Sequence, residues 1–553
     1  MPSCKQCSSA FEVTPEDLAF YDKISPVFNG KKEQIPPPTL CPDCRQQRRM
    51  VWRNERNLYH RKCDRTNRQI IAAYPSSTPF PVYDQQSWWK DDWDATDYGL
   101  DFDFSRPFFK QFQSLIAAVP RISLSNSNNE NCEYVNYTNY SKDCYLIFGN
   151  HNSERCCYGW RVHHCDNCFD CTQLNRCRHC YDCIDCDDCY QLISGMDCRN
   201  CSDSSHLLSC RGCKSCLYCC NLQNVEYHIF NKRYEPEEFA KLARELLQDP
   251  AAAEAEYRKL LAASPRKAAH NVQCEEVSGD YLISCNNCSE TYSAEKSQDC
   301  TRIYLAEDAK DCSDCDIVGW PAELCYEGIS TCVNAYQNRW SSLCWTCVDV
   351  SYCDSCFHSK NLFGCVGLKN KQYCILNRQY TKEEYEALVP KIIEHMRKTG
   401  EWGEFFPVQL SPFAYNETVA HESFPLSKEH VEERGWKWRE EEDDRQQYLG
   451  PNIEVPIDIS AVSDDITKHI LECEVTGKPY KVIPQELKFH RDMGIPLSRT
   501  CPDQRHKERM AQRNPRKLWD RACMKCQKAI STTYSPDRPE IVYCDECYLS
   551  TVY

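Results

Sequence analysis

The sequence predicts a mainly β protein: two narrow β-solenoids, each with twelve residues per turn and a helical cap, flanked by a duplicated cysteine-containing module. Three observations predict this fold class. Cysteines recur every twelve residues through the middle of the chain, the two ends repeat each other, and each end keeps one complete set of four cysteines. Fixed periods of this kind are typical of repeat architectures rather than of one globular core.

The two ends of the chain are copies of one module. Matched positions keep their spacing on both sides of one insertion, and they include Cys4 with Cys473, Pro15 with Pro484, Cys41 with Cys501, Arg53 with Arg513 and Cys63 with Cys523. A threonine, a proline and two acidic residues at 14–17 predict a helix start. A second helix should begin at Cys44.

Each copy has room for two four-ligand sites and keeps one of them. The complete sets are Cys4, Cys7, Cys41 and Cys44 in the first copy, and Cys523, Cys526, Cys544 and Cys547 in the second. The incomplete sets are Cys63, Thr66, Asp84 and Ser87, and Cys473, Thr476, Cys501 and Gln504.

Two C-x-x-C pairs allow four thiolates to surround one tetrahedral ion, and a closed all-sulfur set leaves no position for a reacting water. Such sets suit zinc or iron. We therefore predict two structural Zn²⁺ sites in zinc-ribbon or treble-clef modules. The alternatives are unmetallated buried thiols and a redox pair, although the βαβ context of the latter is missing.

Two basic segments, residues 45–68 and 499–528, interrupt a chain of net charge −15. A helix from Cys44 would align one stripe, formed by Arg45, Arg48, Arg49, Trp52, Arg53 and Arg56. The second copy has a weaker stripe, formed by Arg505, Arg509, Arg513 and Arg516, where Pro515 should end or kink the helix. Such stripes suit a phosphate backbone. The alternatives are a solvated face and a face that docks elsewhere, for example on the acidic segment 429–445.

The middle of the chain follows an inside/outside code. Positions one, four, seven and ten of each unit between Cys132 and Tyr227 carry no charge and hold nearly all the cysteines. This code predicts one narrow solenoid turn per unit, with small dense thiols in its bore. The repeat resembles the 12-residue coils of beetle antifreeze proteins in length and inward code only, which implies no ice binding.

Large side chains at position two predict a face that another segment or a partner covers; they are Tyr145, Phe169, Tyr181, Ile193 and Leu217. Four thiols in one turn are the best candidate for a further metal site, and they are Cys180, Cys183, Cys186 and Cys189. We favour a dry cysteine ladder instead, since the thiol count varies from turn to turn.

A second solenoid should follow in two phases, separated by a break at residues 319–321. The first phase holds Cys285, Cys288, Cys300, Cys312 and Cys315; the second holds Cys332, Cys344, Cys347, Cys353, Cys356, Cys365 and Cys374. Similar motifs at 231–239 and 377–385 end the two solenoids, and helices near 236–262 and 382–398 should cap them. The aromatic run 107–112 predicts a helix that caps the first solenoid, and the acidic run 440–444 predicts a linker.

These boundaries give eight predicted segments. They are a zinc finger with a basic helix (1–62), a degenerate ribbon with a capping segment (63–119), the first solenoid (120–233), a helical cap (234–270), the second solenoid (271–379), a helix and acidic linker (380–472), a degenerate zinc finger (473–522) and a zinc ribbon (523–553).

The motifs Cys41-Pro-Asp-Cys-Arg45, Trp52-Arg-Asn54 and Arg513–Trp519 (RNPRKLW) resemble those of a family of bacterial zinc-ribbon proteins with cysteine-rich repeats. The resemblance covers most of the chain. It implies an architecture and bound zinc, and it implies no activity.

The composition predicts a cytoplasmic protein. The N-terminus lacks the charged and apolar regions of a signal peptide, and no run of about 18 apolar residues predicts a membrane span. The 44 cysteines then indicate metal ligands or buried thiols in a reducing compartment.

We expect a non-enzymatic zinc-binding scaffold that binds RNA or a ribonucleoprotein through its basic ends. The alternative is a protein-interaction scaffold that uses the solenoid faces while the basic ends dock internally. The third hypothesis is a thiol-based metal store or redox buffer. No catalytic triad, phosphate loop or open metal site is evident, and no small-molecule substrate is indicated.

Overall fold

The computed structural model describes residues 1–246, 249–286, 335–440 and 453–552, and between 287 and 334 only residues 288, 290–295, 304–307, 309–310, 316, 322–323 and 329. The described chain is mainly β, with a parallel solenoid and a cysteine tetrad near each end. Some predictions fall on residues outside this description: Cys300, Cys312, Cys315, Cys332, the break at 319–321 and residues 441–444 of the acidic run.

The first copy of the terminal module begins with the predicted helix. Thr14 and Asp17 form a capping box, in which each side chain accepts a hydrogen bond from the other residue's amide (3.1 and 2.9 Å). The elements up to the solenoid are α1 (Pro15–Ile24), β1 (Val27–Phe28), β2 (Lys31–Lys32), α2 (Pro42–Met50), β3 (Tyr59–Lys62), β4 (Gln69–Ala72), β5 (Val82–Tyr83), α3 (Gln85–Trp89) and α4 (Phe108–Ala118).

The predicted helix from Cys44 through Arg56 is wrong at both ends. Helix α2 begins at Pro42, because a proline at the first position needs no amide partner, and it ends at Met50. Trp52, Arg53 and Arg56 therefore lie in the loop after α2, and the arginine stripe is not one continuous helical face.

The first stretch of the solenoid confirms the 12-residue code. Its strands are β6 (Arg121–Ile122), β7 (Asn126–Ser127), β8 (Thr138–Asn139), β9 (Trp160–His163), β10 (Thr172–Asn175), β11 (Ile184–Asp187), β12 (Tyr190–Met196), β13 (Ser202–Leu208), β14 (Lys214–Cys220), β15 (Glu226–Ile229) and β16 (Lys232–Arg233). Thr172 pairs in parallel with Trp160 on one side and with Ile184 on the other, so that one turn takes twelve residues.

The backbone of each turn bends at corners with positive φ. These corners recur every three residues, as at Asn167, Asp170 and Gln173, where φ is 53°, 53° and 52°. Asparagine and aspartate tolerate this left-handed region better than most residues. Between the corners, cysteines and aliphatic side chains point into the bore and are buried.

Two helices, α5 (Pro236–Leu246) and α6 (Pro250–Ala263), separate the first stretch of turns from a later one. The later strands are β17 (Arg266–Lys267), β18 (Gly279–Ile283), β19 (Thr291–Glu295), β20 (Tyr304–Glu307), β21 (Ala309–Lys310), β22 (Ala322–Glu323), β23 (Ala335–Arg339), β24 (Val348–Ser351), β25 (Lys360–Phe363), β26 (Gln372–Ile375) and β27 (Arg378–Gln379), followed by α7 (Lys382–Thr399). Antiparallel hairpins β15–β16 and β26–β27 end the two stretches alike, and a helix follows each hairpin.

Helix α4 forms where the aromatic run predicts it, but it does not cap the first stretch. Phe108 packs on Tyr352 and Phe363 of the later turns, with ring centroids 5.2 and 5.6 Å apart. A hydrophobic run identifies a buried face, while the surface that buries it depends on the three-dimensional path of the chain.

The second module copy repeats the helices and the long hairpin of the first, while the hairpin β1–β2 lies in the insertion of the first copy and β28–β29 corresponds to the single bridge between Ser3 and Ala10. After α8 (Val419–Ser423) and α9 (Lys428–Glu433) come β28 (Leu471–Glu472), β29 (Pro479–Tyr480), α10 (Pro484–Met493), α11 (Pro502–Gln512), β30 (Trp519–Ala522), β31 (Ala529–Thr532), β32 (Val542–Tyr543) and α12 (Asp545–Val552). The hairpins β3–β4 and β30–β31 have the same register, with Tyr59 opposite Ala72 and Trp519 opposite Thr532. Within the described ranges, no helix has the length and apolar character required to cross a membrane.

Candidate metal centres and buried arginine contacts

The first predicted ligand set is assembled. One ligand atom from each of Cys4, Cys7, Cys41 and Cys44 lies within 4.8 Å of the other three. The Sγ atoms of Cys7 and Cys41 are 3.6 Å apart. Four sulfurs at about 2.3 Å from one ion have edges of about 3.8 Å, so this spacing fits a metal-centred tetrahedron.

The second ligand set has the same geometry. Cys523, Cys526, Cys544 and Cys547 also lie within 4.8 Å of one another, with Sγ atoms of Cys526 and Cys544 3.7 Å apart. The amide of Cys544 donates to Cys523 Sγ at 3.3 Å. Both tetrads could therefore hold a metal ion.

The tetrad environments favour thiolates at some positions. Hydrogen bonds from Ser9 lower the pKa of Cys7 to about 6. Burial opposes ionisation of Cys523, but backbone amides that donate to its sulfur outweigh burial and lower its pKa to about 6. Ionised sulfur is the form that ligates a metal.

Hydrogen bonds replace the metal ligands in the first incomplete set. The thiol of Cys63 and the hydroxyl of Thr66 donate to Asp84 Oδ2 at 3.0 and 3.3 Å, and the amide of Ser87 donates to Asp84 Oδ1 at 2.8 Å. At this position one carboxylate thus joins the two strands' ends of the module through hydrogen bonds. In the second incomplete set, Thr476 Oγ1 lies 3.8 Å from Cys501 Sγ, while the side chain of Gln504 donates a hydrogen bond to Glu508.

The arginines of the first copy are buried in contacts with distant segments. Arg49 Nε donates to Asp316 Oδ2 at 2.9 Å, and both side chains are 1% exposed. Arg48 donates to Glu404 at 2.7 Å. Arg45 is also buried.

The side chains of the loop after α2 are held by contacts with distant residues and with each other. Trp52 packs against Phe406 with ring centroids 4.8 Å apart. Arg53 donates to Glu55 at 2.5 Å, and Arg56 lies 4.7 Å from the centre of the Phe148 ring. Burial opposes ionisation of Glu55, but Arg53 and Arg161 outweigh it and lower its pKa.

The arginines of the second copy converge on the first solenoid stretch. Asp170 is 1% exposed, and it accepts hydrogen bonds from Arg505 and Arg509 at 2.7 and 2.9 Å. Arg513 donates two bonds to Asp185, at 2.9 and 3.1 Å. Arg516 lies nearer the surface, 3.5 Å from Ser423 Oγ. A phosphate cannot reach the buried guanidinium groups while these modules are docked.

Tyr145, Phe169 and Tyr181 of the solenoid face with large side chains at position two are covered by the second module copy, and Leu217 packs with α6. Phe169 stacks on Phe489 of α10 at 4.1 Å, and Tyr181 lies 6.2 Å from the same ring. The sequence predicts that a segment or a partner covers this face, and the covering segment belongs to the chain itself.

The sequence did not predict a cluster of charged residues around His270, which joins the first and the later stretch of turns. His270 Nδ1 lies 3.0 Å from Asp280 Oδ1, its Nε2 lies 3.7 Å from Asp197, and its ring stacks on Tyr281. Burial opposes protonation, but the facing carboxylates outweigh it and raise the pKa of His270 to about 9. A single histidine in a linker carries no pattern that reveals such partners.

The bore cysteines do not form a third ligand set. The two terminal tetrads are the only groups of three or more ligand residues that meet the 4.8 Å limit among the described residues, and Cys180, Cys183, Cys186 and Cys189 are not such a group. Each bore thiol donates instead to carbonyls, as Cys180 does to Arg178 at 3.5 Å and Cys189 at 3.7 Å. None of the described cysteines forms a disulfide.

No protein-family model matches this sequence, and a comparison with curated proteins finds no significant match. The candidate sites are therefore argued from their own geometry.

Proposed function

We propose that this chain is a non-enzymatic scaffold, in which two structural Zn²⁺ ions fold the terminal modules and buried arginines fasten those modules to the solenoid. The remaining solenoid surface then binds a protein partner. The observation that carries this proposal is the pairing of Arg49 with Asp316 and of Arg505 and Arg509 with Asp170. These contacts use the basic helices to join parts of the chain.

Zinc is the metal that suits both tetrads best. Four sulfurs at tetrahedral spacing match its preferred ligands, and a closed set serves structure rather than catalysis. On this proposal the modules are zinc-ribbon or treble-clef units, and the two stretches of turns are separate solenoids with their own hairpins and helical caps.

Metal analysis tests the zinc assignment. We expect two zinc ions per chain, with one lost in Cys7→Ser and one in Cys526→Ser. The matched control is Cys63→Ser, which removes a cysteine from an incomplete set and should leave both ions bound. A content well above two ions would favour the metal-store hypothesis instead.

Binding of RNA or a ribonucleoprotein through the arginine stripes stays a prediction from the sequence, and internal docking is the role that the buried contacts support. Fluorescence anisotropy of labelled single-stranded RNA and duplex DNA, titrated with zinc-loaded protein across a salt series, separates the two. We expect weak binding at low salt. Tight binding with a steep salt dependence, while the module contacts remain formed, would overturn the scaffold proposal in favour of phosphate recognition.

A further inference from the structure

The incomplete ligand set at the start of the second module copy keeps the backbone turn of a metal-binding knuckle. In the complete set of the first copy, the amide of Ser8 donates to the carbonyl of Cys4 at 2.9 Å, and Ser8 has a φ of 62°. In the second copy, the amide of Gly477 donates to the carbonyl of Cys473 at 2.8 Å, and Gly477 has a φ of 67°. The two turns are therefore equivalent, although the second copy has lost two ligands.

The backbone amides around the first sulfur are retained as well. In the complete set, the sulfur of Cys4 accepts hydrogen bonds from three backbone amides. The sulfur of Cys473 accepts from the amides at the three equivalent positions, which are those of Val475, Thr476 and Cys501. Because amide donors favour the charged form of sulfur, this environment suits a thiolate ligand.

A hydroxyl stands at the third corner of the set, where the complete set has a thiol. In the complete set, the Sγ atoms of Cys7 and Cys41 are 3.6 Å apart. At the equivalent positions, Thr476 Oγ1 lies 3.8 Å from Cys501 Sγ, and the Cys501 thiol also faces that of Cys473. Two sulfurs thus keep the arrangement that they have around a metal ion in the complete set.

At the fourth corner, the side chain that replaces the cysteine makes its hydrogen bond elsewhere. Gln504 Nε2 donates to Glu508 Oε1 at 2.8 Å. Among the described residues, no group of three or more histidine, cysteine or acidic ligands within 4.8 Å of one another includes Cys473 or Cys501. Structural zinc takes four such ligands. The set is therefore unsuited to zinc, and it offers a pair of sulfurs to a softer ion.

The surroundings of the pair favour a soft ion with few ligands. Cys473 is 1% exposed and Cys501 4%, and both pack in an apolar cluster with Leu471, Val482 and Leu497. Thiolates select Cu⁺, whereas Cu²⁺ and other harder ions take nitrogen and oxygen ligands. An apolar shell keeps such ligands and water away from the sulfurs. A cavity of about 530 Å³ borders Cys473 and gives a small ion a route to the site.

The other incomplete set does not share these features. It contains one cysteine, Cys63, whose thiol donates to Asp84 Oδ2 at 3.0 Å. A single sulfur beside a carboxylate does not select a soft ion. Cys63 therefore supplies a matched control for the sulfur pair of the second copy.

We propose that Cys473 and Cys501 form a binding site for one Cu⁺ ion, which the two thiolates hold between them. On binding, each thiol releases its proton to solvent, and the ion leaves the thiol or chelator that delivers it. No electron is transferred, so the step needs no oxidant or reductant. The site goes beyond the scaffold function, because the zinc tetrads and the arginine contacts form without it.

Titration of the zinc-loaded full-length protein with Cu⁺ under anaerobic conditions tests the site, with bicinchoninate as the competing chromophoric chelator. We expect about one Cu⁺ per chain to bind while both zinc ions stay bound, and X-ray absorption at the copper edge should show two sulfur ligands. Cys473→Ser and Cys501→Ser should each weaken binding by at least about tenfold, and Cys63→Ser should bind as the wild type does. Equal binding by the wild type and both serine variants, or release of zinc in step with copper uptake, would overturn the proposal.

A variant that adds ligands tests the geometry of the set independently. Thr476→Cys combined with Gln504→Cys should complete the tetrad, so that the chain binds a third zinc ion. This result does not depend on whether the fold tolerates the loss of a buried thiol. A folded double variant that still binds two zinc ions would show that the four corners are not arranged around one ion, and it would overturn the proposal.

Discussion

At the scale of single residues, Asp170 is the clearest example of a charge whose role depends on the tertiary structure. It occupies a solenoid corner with positive φ, and its two oxygens accept from two arginines of the second module copy. Buried charges are tolerated only when they are paired. Loss of this carboxylate would leave two buried guanidinium groups with a reduced set of partners.

Replacement of Asp170 should therefore be strongly destabilising. We expect Asp170→Ala to lower the free energy of unfolding by about 3–5 kcal/mol, measured by denaturant unfolding. The control is Asp188→Ala, whose partner Arg176 is 53% exposed, and there we expect a loss of about 0–1 kcal/mol. Equal effects of the two substitutions would show that burial of the Asp170 ion pairs adds nothing to the free energy of unfolding.

His270 gives a prediction for the dependence of stability on pH. Its pKa is raised to about 9 by Asp280 and Asp197, with Asp185 and Arg513 also near the junction. A raised pKa means that the ion pairs stabilise the fold fully below about pH 6.5 and that this contribution is lost as pH rises through about 9.

Thermal unfolding between pH 6 and pH 10 checks this sign. The wild type should lose stability relative to His270→Gln as the pH rises, because only the wild type has an imidazolium to deprotonate. Parallel curves for the two proteins would contradict the prediction.

At the scale of elements, close packing of the solenoid bore requires that the side-chain volumes within one turn complement each other. Leu192 is fully buried among the bore cysteines, and Gly195 lies beside it. A Cβ atom on Gly195 would lie 2.4 Å from Leu192 Cδ2, so that the larger leucine is accommodated only because the glycine has no side chain.

A double-mutant cycle tests this matching. Gly195→Ala should cost about 1–3 kcal/mol of unfolding free energy through overpacking. In the background of Leu192→Ala the same change should cost much less, because the clashing methyl group is gone. Additive effects would contradict the steric explanation.

Sequence periodicity predicted the elements well where the information is local. The 12-residue code identified the bore cysteines, and Thr14 and Pro15 identified the start of α1, because both signals come from neighbouring residues. The partners of the arginines were not predictable in this way, since Arg49 and Asp316 are far apart in the chain. The end of α2 at Met50 was missed because the arginine spacing fits a helix while Trp52 is held by Phe406 instead.

At the scale of the whole molecule, each module copy joins both stretches of the solenoid. In the first copy, β5 pairs with β6 at the entry of the first stretch, while Arg49 reaches Asp316 in the later stretch. In the second copy, β32 pairs with β17 at the entry of the later stretch, while Arg509 reaches Asp170 in the first. Each terminal module thus pairs with the first strand of one stretch of turns and forms an ion pair with the other stretch.

Arginine-selective modification of the zinc-loaded full-length protein, read out by mass spectrometry, tests most directly whether the basic segments are docked inside the molecule. Arg211, which is exposed on the solenoid, serves as the internal reference. We expect Arg49 and Arg509 to be protected in the wild type, and Arg509 to become reactive in Asp170→Ala. Modification of Arg49 and Arg509 in the wild type as fast as that of Arg211 would contradict internal docking and would indicate that the arginine stripes lie at the surface.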